Sequence, residues 1–241
     1  MNYEDKVAIV AGASQGLGLG VAEALAGKGA QVIIWSNNEE KLQKAVAGLA
    51  EKGLTATYMK VDVTDYDQVQ LAVDKVVEEN GKLDIMVASV GGGNFGPFVG
   101  YTPEFWHQQI NYNLSTVFNC FHVALKPMLA QSFGRLLCFM STTGGTPMLA
   151  AYGASKGAVK GMMETIAVEH EKDHVTANAI MPGLVLTPKS MMAFSGPGGE
   201  ERLQQTLSRM PLGANTVENV ARTALNVLED DRLTGQVINL H

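Results

Sequence analysis

Short apolar runs alternate with longer amphipathic stretches from one end of the chain to the other. Val7 to Val10, Val32 to Trp35, Thr57 to Val61, Ile85 to Ala88, Leu136 to Phe139, Thr176 to Ile180 and Val237 to Leu240 read as strands. They are short, often β-branched, and bounded by glycine or polar residues. Helical patterns lie between them at Gly18 to Gly27, Asn38 to Lys52, Asp67 to Asn80, Pro103 to Leu129, Tyr152 to Asp173 and Thr216 to Glu229. Glu39 and Glu40 fall in the first turn of their helix, where acidic side chains suit the helix dipole. Strands that are apolar throughout, and separated by helices, predict a parallel sheet covered on both faces. The expectation is one α/β domain over residues 1–241, a doubly wound sheet of about seven strands. The least regular stretch, Leu184 to Pro211, has Ser195-Gly196-Pro197-Gly198-Gly199 at its centre and reads as a substrate lid.

Composition narrows the class. Hydrophobic residues are 46% of the 241 and charged residues 17%, enough to build a sizeable core. The net charge of -6 argues against nucleic acid as the main partner, because binding it rests on Lys and Arg neutralising phosphates. The two cysteines, Cys120 and Cys138, sit in apolar runs and are expected buried and reduced, with neither a disulfide nor a Cys-based metal site. The first residues resemble neither a signal nor a transit peptide, and no apolar run is long enough to span a bilayer. A cytoplasmic, non-membrane protein is expected.

Two local patterns carry chemistry. After the first strand comes Gly12-Ala13-Ser14-Gln15-Gly16-Leu17-Gly18, three glycines between a strand and a helix. Glycine lets the backbone turn tightly and approach a pyrophosphate, and the following helix offers that anion unpaired N–H groups. The second pattern is Tyr152-Gly153-Ala154-Ser155-Lys156. Four residues of spacing put Tyr152 and Lys156 on one helix face, where an ammonium favours the phenolate and fits the tyrosine for proton transfer.

The spacing G-x-x-x-G-x-G, joined to Y-x-x-x-K further along, resembles the short-chain dehydrogenase/reductase family over almost the whole chain. The resemblance implies a Rossmann fold and a nicotinamide-dependent oxidoreductase that moves a hydride between the cofactor and a carbonyl or secondary alcohol. It implies Tyr152 as acid/base and Lys156 as the group that lowers its pKa and holds the nicotinamide ribose. Ser141 fixes the substrate oxygen, and Asn113, chosen over Asn111 by the Leu-x-x-Val-Phe that follows, anchors a proton relay. Gly12, Ser14, Gln15, Gly16, Leu17 and Gly18 would hold the pyrophosphate, with Asp62 and Val63 beside the adenine. Gly91, Pro182, Gly183 and Thr187 would sit near the nicotinamide end.

Several positions depart from the family pattern. Ala11 replaces the Thr that usually opens the glycine turn. Ala88-Ser89-Val90-Gly91 replaces Asn-Asn-Ala-Gly, and Met140 stands where a Ser is common. The segment Gly144 to Tyr152 is about two residues shorter than usual. The chain stops at His241, where most relatives continue, so an oligomer contact made by such a tail is expected to be missing.

The end of the second strand bears on which nicotinamide is used. Ser36 stands where NAD-preferring relatives carry Asp, and Asn37 where many NADP-preferring ones carry Arg. With no carboxylate to repel a 2′-phosphate, NADP(H) is favoured over NAD(H), with room for both, although no cation is evident to strengthen the contact.

His170-Glu171-Lys172-Asp173-His174 spells the helical zinc pattern H-E-x-x-H. It ends a predicted helix in a run of polar residues with no third ligand at a suitable spacing, so no metal is expected. Leu184, Leu186, Met191, Met192 and Phe194, opposite Phe95, Phe98 and Met148, suggest an apolar ketone as substrate, though several could equally pack in the core. Rival readings are a nucleotide-binding sensor or scaffold on the same fold, and an epimerase using bound nicotinamide transiently; the intact Asn113, Ser141, Tyr152 and Lys156 set favours the oxidoreductase. The resemblance also implies a homotetramer or homodimer, with the helices Pro103 to Leu129 and Tyr152 to Asp173 as contact surfaces.

Overall fold

A computed structural model describes residues 1–141 and 145–240. Seven parallel strands form one sheet in the order β3-β2-β1-β4-β5-β6-β7. They are β1 (Val7–Ala11), β2 (Gln31–Ser36), β3 (Ala56–Lys60), β4 (Ile85–Ala88), β5 (Gly134–Phe139), β6 (Val175–Met181) and β7 (Val237–Asn239). The central strands are buried on both faces, which is why their sequences are apolar at every position.

Alternate residues of each strand feed different halves of the core. Val7, Ile9 and Ala11 of β1, with Leu136 and Cys138 of β5, join one apolar layer. Ala8 and Val10 of β1, with Leu137 and Phe139, join the other. The first layer is covered by α3 (Tyr66–Asn80), α5 (Thr116–Ala130) and α6 (Ala150–Glu169). The second is covered by α1 (Gly16–Gly27), α2 (Glu39–Glu51) and α9 (Val217–Glu229). Each fully buried large side chain, such as Trp35, Phe121 or Leu25, contributes about 1.5–3 kcal/mol by leaving water.

Three departures from the predicted elements matter. The helix expected over Pro103 to Leu129 is α4 (Pro103–Ile110) and α5, joined by a π-helical turn over Asn111–Ser115. Single π turns shift the residues after them around the helix axis and often mark functional positions. The helix expected to run to Asp173 ends at Glu169, and His174 takes a left-handed conformation at φ 58. The expected lid contains α7 (Pro188–Met191), a 3-10 turn at Met192–Phe194 and α8 (Gly199–Leu207). Gly144, where the shortened segment begins, and His241 lie outside the described residues.

Strand order reverses between the adjacent strands β1 and β4, after which the chain runs to opposite sides of the sheet, toward β2 and toward β5. In doubly wound sheets the crevice beyond the carboxyl ends of the strands at such a point is where ligands bind. No helix among the described residues is long and apolar enough to cross a membrane.

Candidate active site

A cleft of about 980 Å³ opens at that switch point. Ligand pockets run from about 300 to 1,000 Å³, so this one has room for a dinucleotide and a small substrate together.

The glycine turn forms one end. Gly12, Ser14, Gln15, Gly16 and Leu17 line the cleft. Gly12 and Gly16 sit at φ +77 and +63, where a side chain is strained, and a Cβ on Gly16 would meet nothing within 4 Å. The turn is braced from β2, because the N–H groups of Gly12 and Ala13 both donate to the Trp35 carbonyl, at 2.9 and 3.1 Å. The brace is made by backbone alone, beside an Ala11 that carries no hydroxyl. Gly18 does not line the cleft. It packs α1 onto the turn: a Cβ there would lie 2.5 Å from the Gly12 carbonyl oxygen. Its place is beneath the cradle rather than on the cleft wall.

Helix α1 starts without a side-chain cap and without an acidic residue in its first turn. By contrast α2, α3, α4 and α9 are capped by Asn38, Asp65, Thr102 and Thr216. The first N–H groups of α1 are therefore left for an anion, which fits the pyrophosphate of a dinucleotide.

The flank of the cleft carries the other expected residues. Ser36, Asn37, Asp62 and Val63 all line it. The Asp62 carboxylate accepts from the Thr64 N–H and hydroxyl at 3.0 and 2.7 Å, while Asn119 holds the Val63 carbonyl at 2.9 Å. Lys41 lines the same flank, a cation that reading only the strand end missed. Its signal was the Asn38 cap, which sets Lys41 in the first turn of α2.

At the far end stand Ser141, Tyr152 and Lys156, with Gly91, Pro182, Gly183 and Thr187 around them. Burial pushes the Tyr152 phenol above its ordinary pKa, and a hydrogen bond with Ser141 pulls it the other way. The Lys156 ammonium donates to the Phe139 carbonyl at 2.8 Å and stands 5.7 Å from the centre of the Tyr152 ring. A lysine 3% exposed needs such an acceptor, so the β5 carbonyl fixes where the charge lies.

Asn113 lies on the π turn, 0% exposed and just outside the cleft wall; Asn111 is exposed. Its carbonyl accepts from Gly92 N at 2.8 Å, and its amide donates to Gly92 O and Gln109 O, both at 3.0 Å. A Cβ on Gly91 would lie 3.0 Å from Asn113 Oδ1 and 3.3 Å from Lys156 Nζ, so both side chains press on the loop after β4.

The substrate-facing wall is less apolar than expected. Phe95, Leu184 and Phe194 line the cleft, but Phe98, Met148, Leu186, Met191 and Met192 are exposed and do not. His170 pairs with Asp173 at 3.0 Å, and the helix end has put His174 out of register with it. No cluster of three metal-ligating side chains occurs among the described residues.

Residues 6–197 match the short chain dehydrogenase family model. The chain is 35% identical over 248 residues to the 3-oxoacyl-(acyl-carrier-protein) reductase FabG of Thermotoga maritima, covering 100% of this chain and 98% of that one. It is 33% identical to the oxidoreductase UcpA of Salmonella typhimurium over 209 residues, 85% of this chain and 79% of that one. Among solved structures, an actinorhodin polyketide ketoreductase with NADPH superposes with a TM-score of 0.93 at 28% identity, over 100% of this chain and 97% of that one. An NAD+-bound xylitol dehydrogenase gives the same TM-score and identity, over 100% and 99%. Glycine turn, sheet order and these likenesses agree: the chain belongs to the short-chain dehydrogenase/reductase family, NAD(P)-dependent oxidoreductases acting on CH–OH and C=O groups.

Proposed function

We propose that this chain interconverts a ketone and a secondary alcohol in the cleft, using NADP(H) in preference to NAD(H). The observation that carries the reading is the Ser141–Tyr152 hydrogen bond at one end of a cleft whose other end is the uncapped start of α1.

The bound nicotinamide supplies or accepts the hydride. The chain's own residues handle the proton and the geometry. Tyr152 gives its hydroxyl proton to the carbonyl oxygen in reduction and takes it back in oxidation. Ser141, already bonded to Tyr152, fixes the substrate oxygen between the two hydroxyls. Lys156, held by the Phe139 carbonyl, contributes a positive field to the phenolate and donors to the nicotinamide ribose. Asn113 shapes the loop at Gly91 and Gly92 and carries the proton relay from behind it. Gly12, Ser14, Gln15, Gly16 and Leu17 seat the pyrophosphate; Asp62 and Val63 flank the adenine; Pro182, Gly183 and Thr187 receive the nicotinamide end.

Phe95, Leu184 and Phe194 on the substrate side favour an apolar ketone. Residues 184–211 act as the lid of a single catalytic domain, since Phe194 and Thr206 reach the cleft from either end of its turn. A homodimer or homotetramer in the cytoplasm completes the reading; the exposed Phe118 on α5 and Val168 on α6 suit contact between copies. The test is nicotinamide absorbance with NADPH and then NADH over apolar ketones and their alcohols. Turnover with NADPH exceeding that with NADH supports the reading. Turnover confined to NADH, or to polyols, replaces it.

A further inference from the structure

We infer that Lys41 is the cation that recognises the 2′-phosphate of an NADP-type dinucleotide, with Ser36 and Asn37 as its neutral partners. The inference rests on the NADP(H) reading above and names the residue that produces it.

The placement follows from the chain's path. Trp35, whose carbonyl braces the glycine turn, is followed directly by Ser36 at the end of β2. Positions 36 to 38 therefore leave the sheet beside the phosphate cradle, where a ribose next to the pyrophosphate would lie. None of the three carries a carboxylate. The Ser36 hydroxyl accepts from the Asn38 N–H at 3.3 Å, so its own proton is left to donate to a ligand oxygen. Asn38 then accepts from the Lys41 N–H at 2.9 Å and starts α2. One capping turn thus delivers Lys41 to the wall that Ser36, Asn37 and Asn38 already line.

The surrounding charges leave that ammonium for a ligand. Lys44 is paired with Glu40 at 2.7 Å, and Lys52, just past the helix, with Glu23 at 2.7 Å. Lys41 has no ion-pair partner among the described residues. The carboxylates that could oppose an anion there are Glu39 and Glu40, in the same first turn, and Asp62, on the same flank of the cleft. Asp62 accepts two hydrogen bonds from Thr64 and keeps its charge, while Glu40 is paired with Lys44, so Glu39 and Asp62 are the carboxylates a ligand phosphate would meet beside Lys41. A phosphate monoester on the ribose adds a localised double charge that a hydroxyl lacks, and an exposed lysine distinguishes the two by that charge.

The experiment is titration of the full-length protein with NADPH and with NADH, read by nucleotide fluorescence and without turnover. Wild type, Lys41→Gln and Lys60→Gln are compared. Lys60 is the β3 register partner of Ser36 but does not line the cleft, so it controls for nearby charge. The expected result is tighter binding of NADPH than NADH by wild type. Lys41→Gln should weaken NADPH about tenfold, on the scale of one charge-assisted contact. NADH binding and Lys60→Gln should be unaffected, and added salt should weaken the NADPH preference of wild type but not of Lys41→Gln. If wild type prefers NADPH and Lys41→Gln keeps the full preference, the assignment of Lys41 is overturned while the cofactor reading stands. If wild type binds NADH as well as or better than NADPH, the cofactor reading falls and this inference with it.

Discussion

Asn113 holds both backbone polar groups of Gly92, accepting from its N–H at 2.8 Å and donating to its carbonyl at 3.0 Å. A fully buried amide that does this is the hinge pin of the loop after β4, the loop that forms the cleft wall at Gly91. Asn113→Ala leaves Gly92 N–H, Gly92 O and one acceptor position on Gln109 O unfilled. Burying such groups unpaired costs about 1–3 kcal/mol. Urea denaturation should show a lower midpoint, and dinucleotide affinity should fall with it. An unchanged midpoint would mean the loop is held by something else.

Tyr152 gives the pH dependence. Burial holds its pKa above the ordinary value of about 10, so the phenol is protonated at neutral pH. As a proton donor it is present at neutral pH and lost as pH rises through that raised pKa. As a proton acceptor it appears only over the same rise. Reduction should therefore be favoured at neutral pH, and oxidation should climb toward alkaline pH. Ser141→Ala removes a hydrogen bond that lowers the pKa. Besides a slower rate, its oxidation limb should move to higher pH in a kcat/KM profile. A limb that stays in place would disconnect Ser141 from the phenol.

Gly18 tests the platform beneath the cradle. Its missing side chain lets α1 sit on the turn, where a Cβ would be 2.5 Å from the Gly12 carbonyl. Gly18→Ala has to push helix and turn apart, an overpacking cost of about 1–3 kcal/mol. A lower Tm together with weaker dinucleotide binding is expected, although residue 18 does not face the cleft. Wild-type binding in this variant would show that the turn tolerates displacement.

The thiols of Cys120 and Cys138 are both buried, and burial pushes each up to about 12. Neither forms a thiolate at neutral pH, so an aromatic disulfide reagent should label the native protein only as fast as it unfolds. Rapid labelling of either would contradict the packing around β5 and α5.

The strands were legible because a sheet covered on both faces demands unbroken apolar runs, and β4 was read to the residue at Ile85–Ala88. Gly12, Gly16, Tyr152 and Lys156 stood out by local spacing and Ser141 by the resemblance those spacings carry, and all five line the cleft. What escaped depends on distant partners or on a break in period. The π turn at Asn111–Ser115 leaves the apolar pattern looking like one helix, because it only shifts the phase by a residue. Helix α8 buries little besides Gly199 and Leu203, so it carries almost no apolar stripe to read. Lys41 escaped because it belongs to a wall assembled by a cap, five residues beyond the strand end. The hydrogen bonds that fix the site escaped for the same reason: sequence spacing puts Lys156 on the face of Tyr152, but the Phe139 carbonyl that accepts from its ammonium is a non-local partner.

The most direct test of the account is a comparison of wild type with Tyr152→Phe, measuring NADPH-dependent ketone reduction and dinucleotide affinity on the same preparations. Removing one hydroxyl from the cleft should lower turnover about 10²–10⁴-fold, the usual contribution of a positioned acid, while dinucleotide affinity and Tm stay at wild-type values. Turnover retained at the wild-type level would contradict Tyr152 as the proton donor and send the search to another group in the cleft.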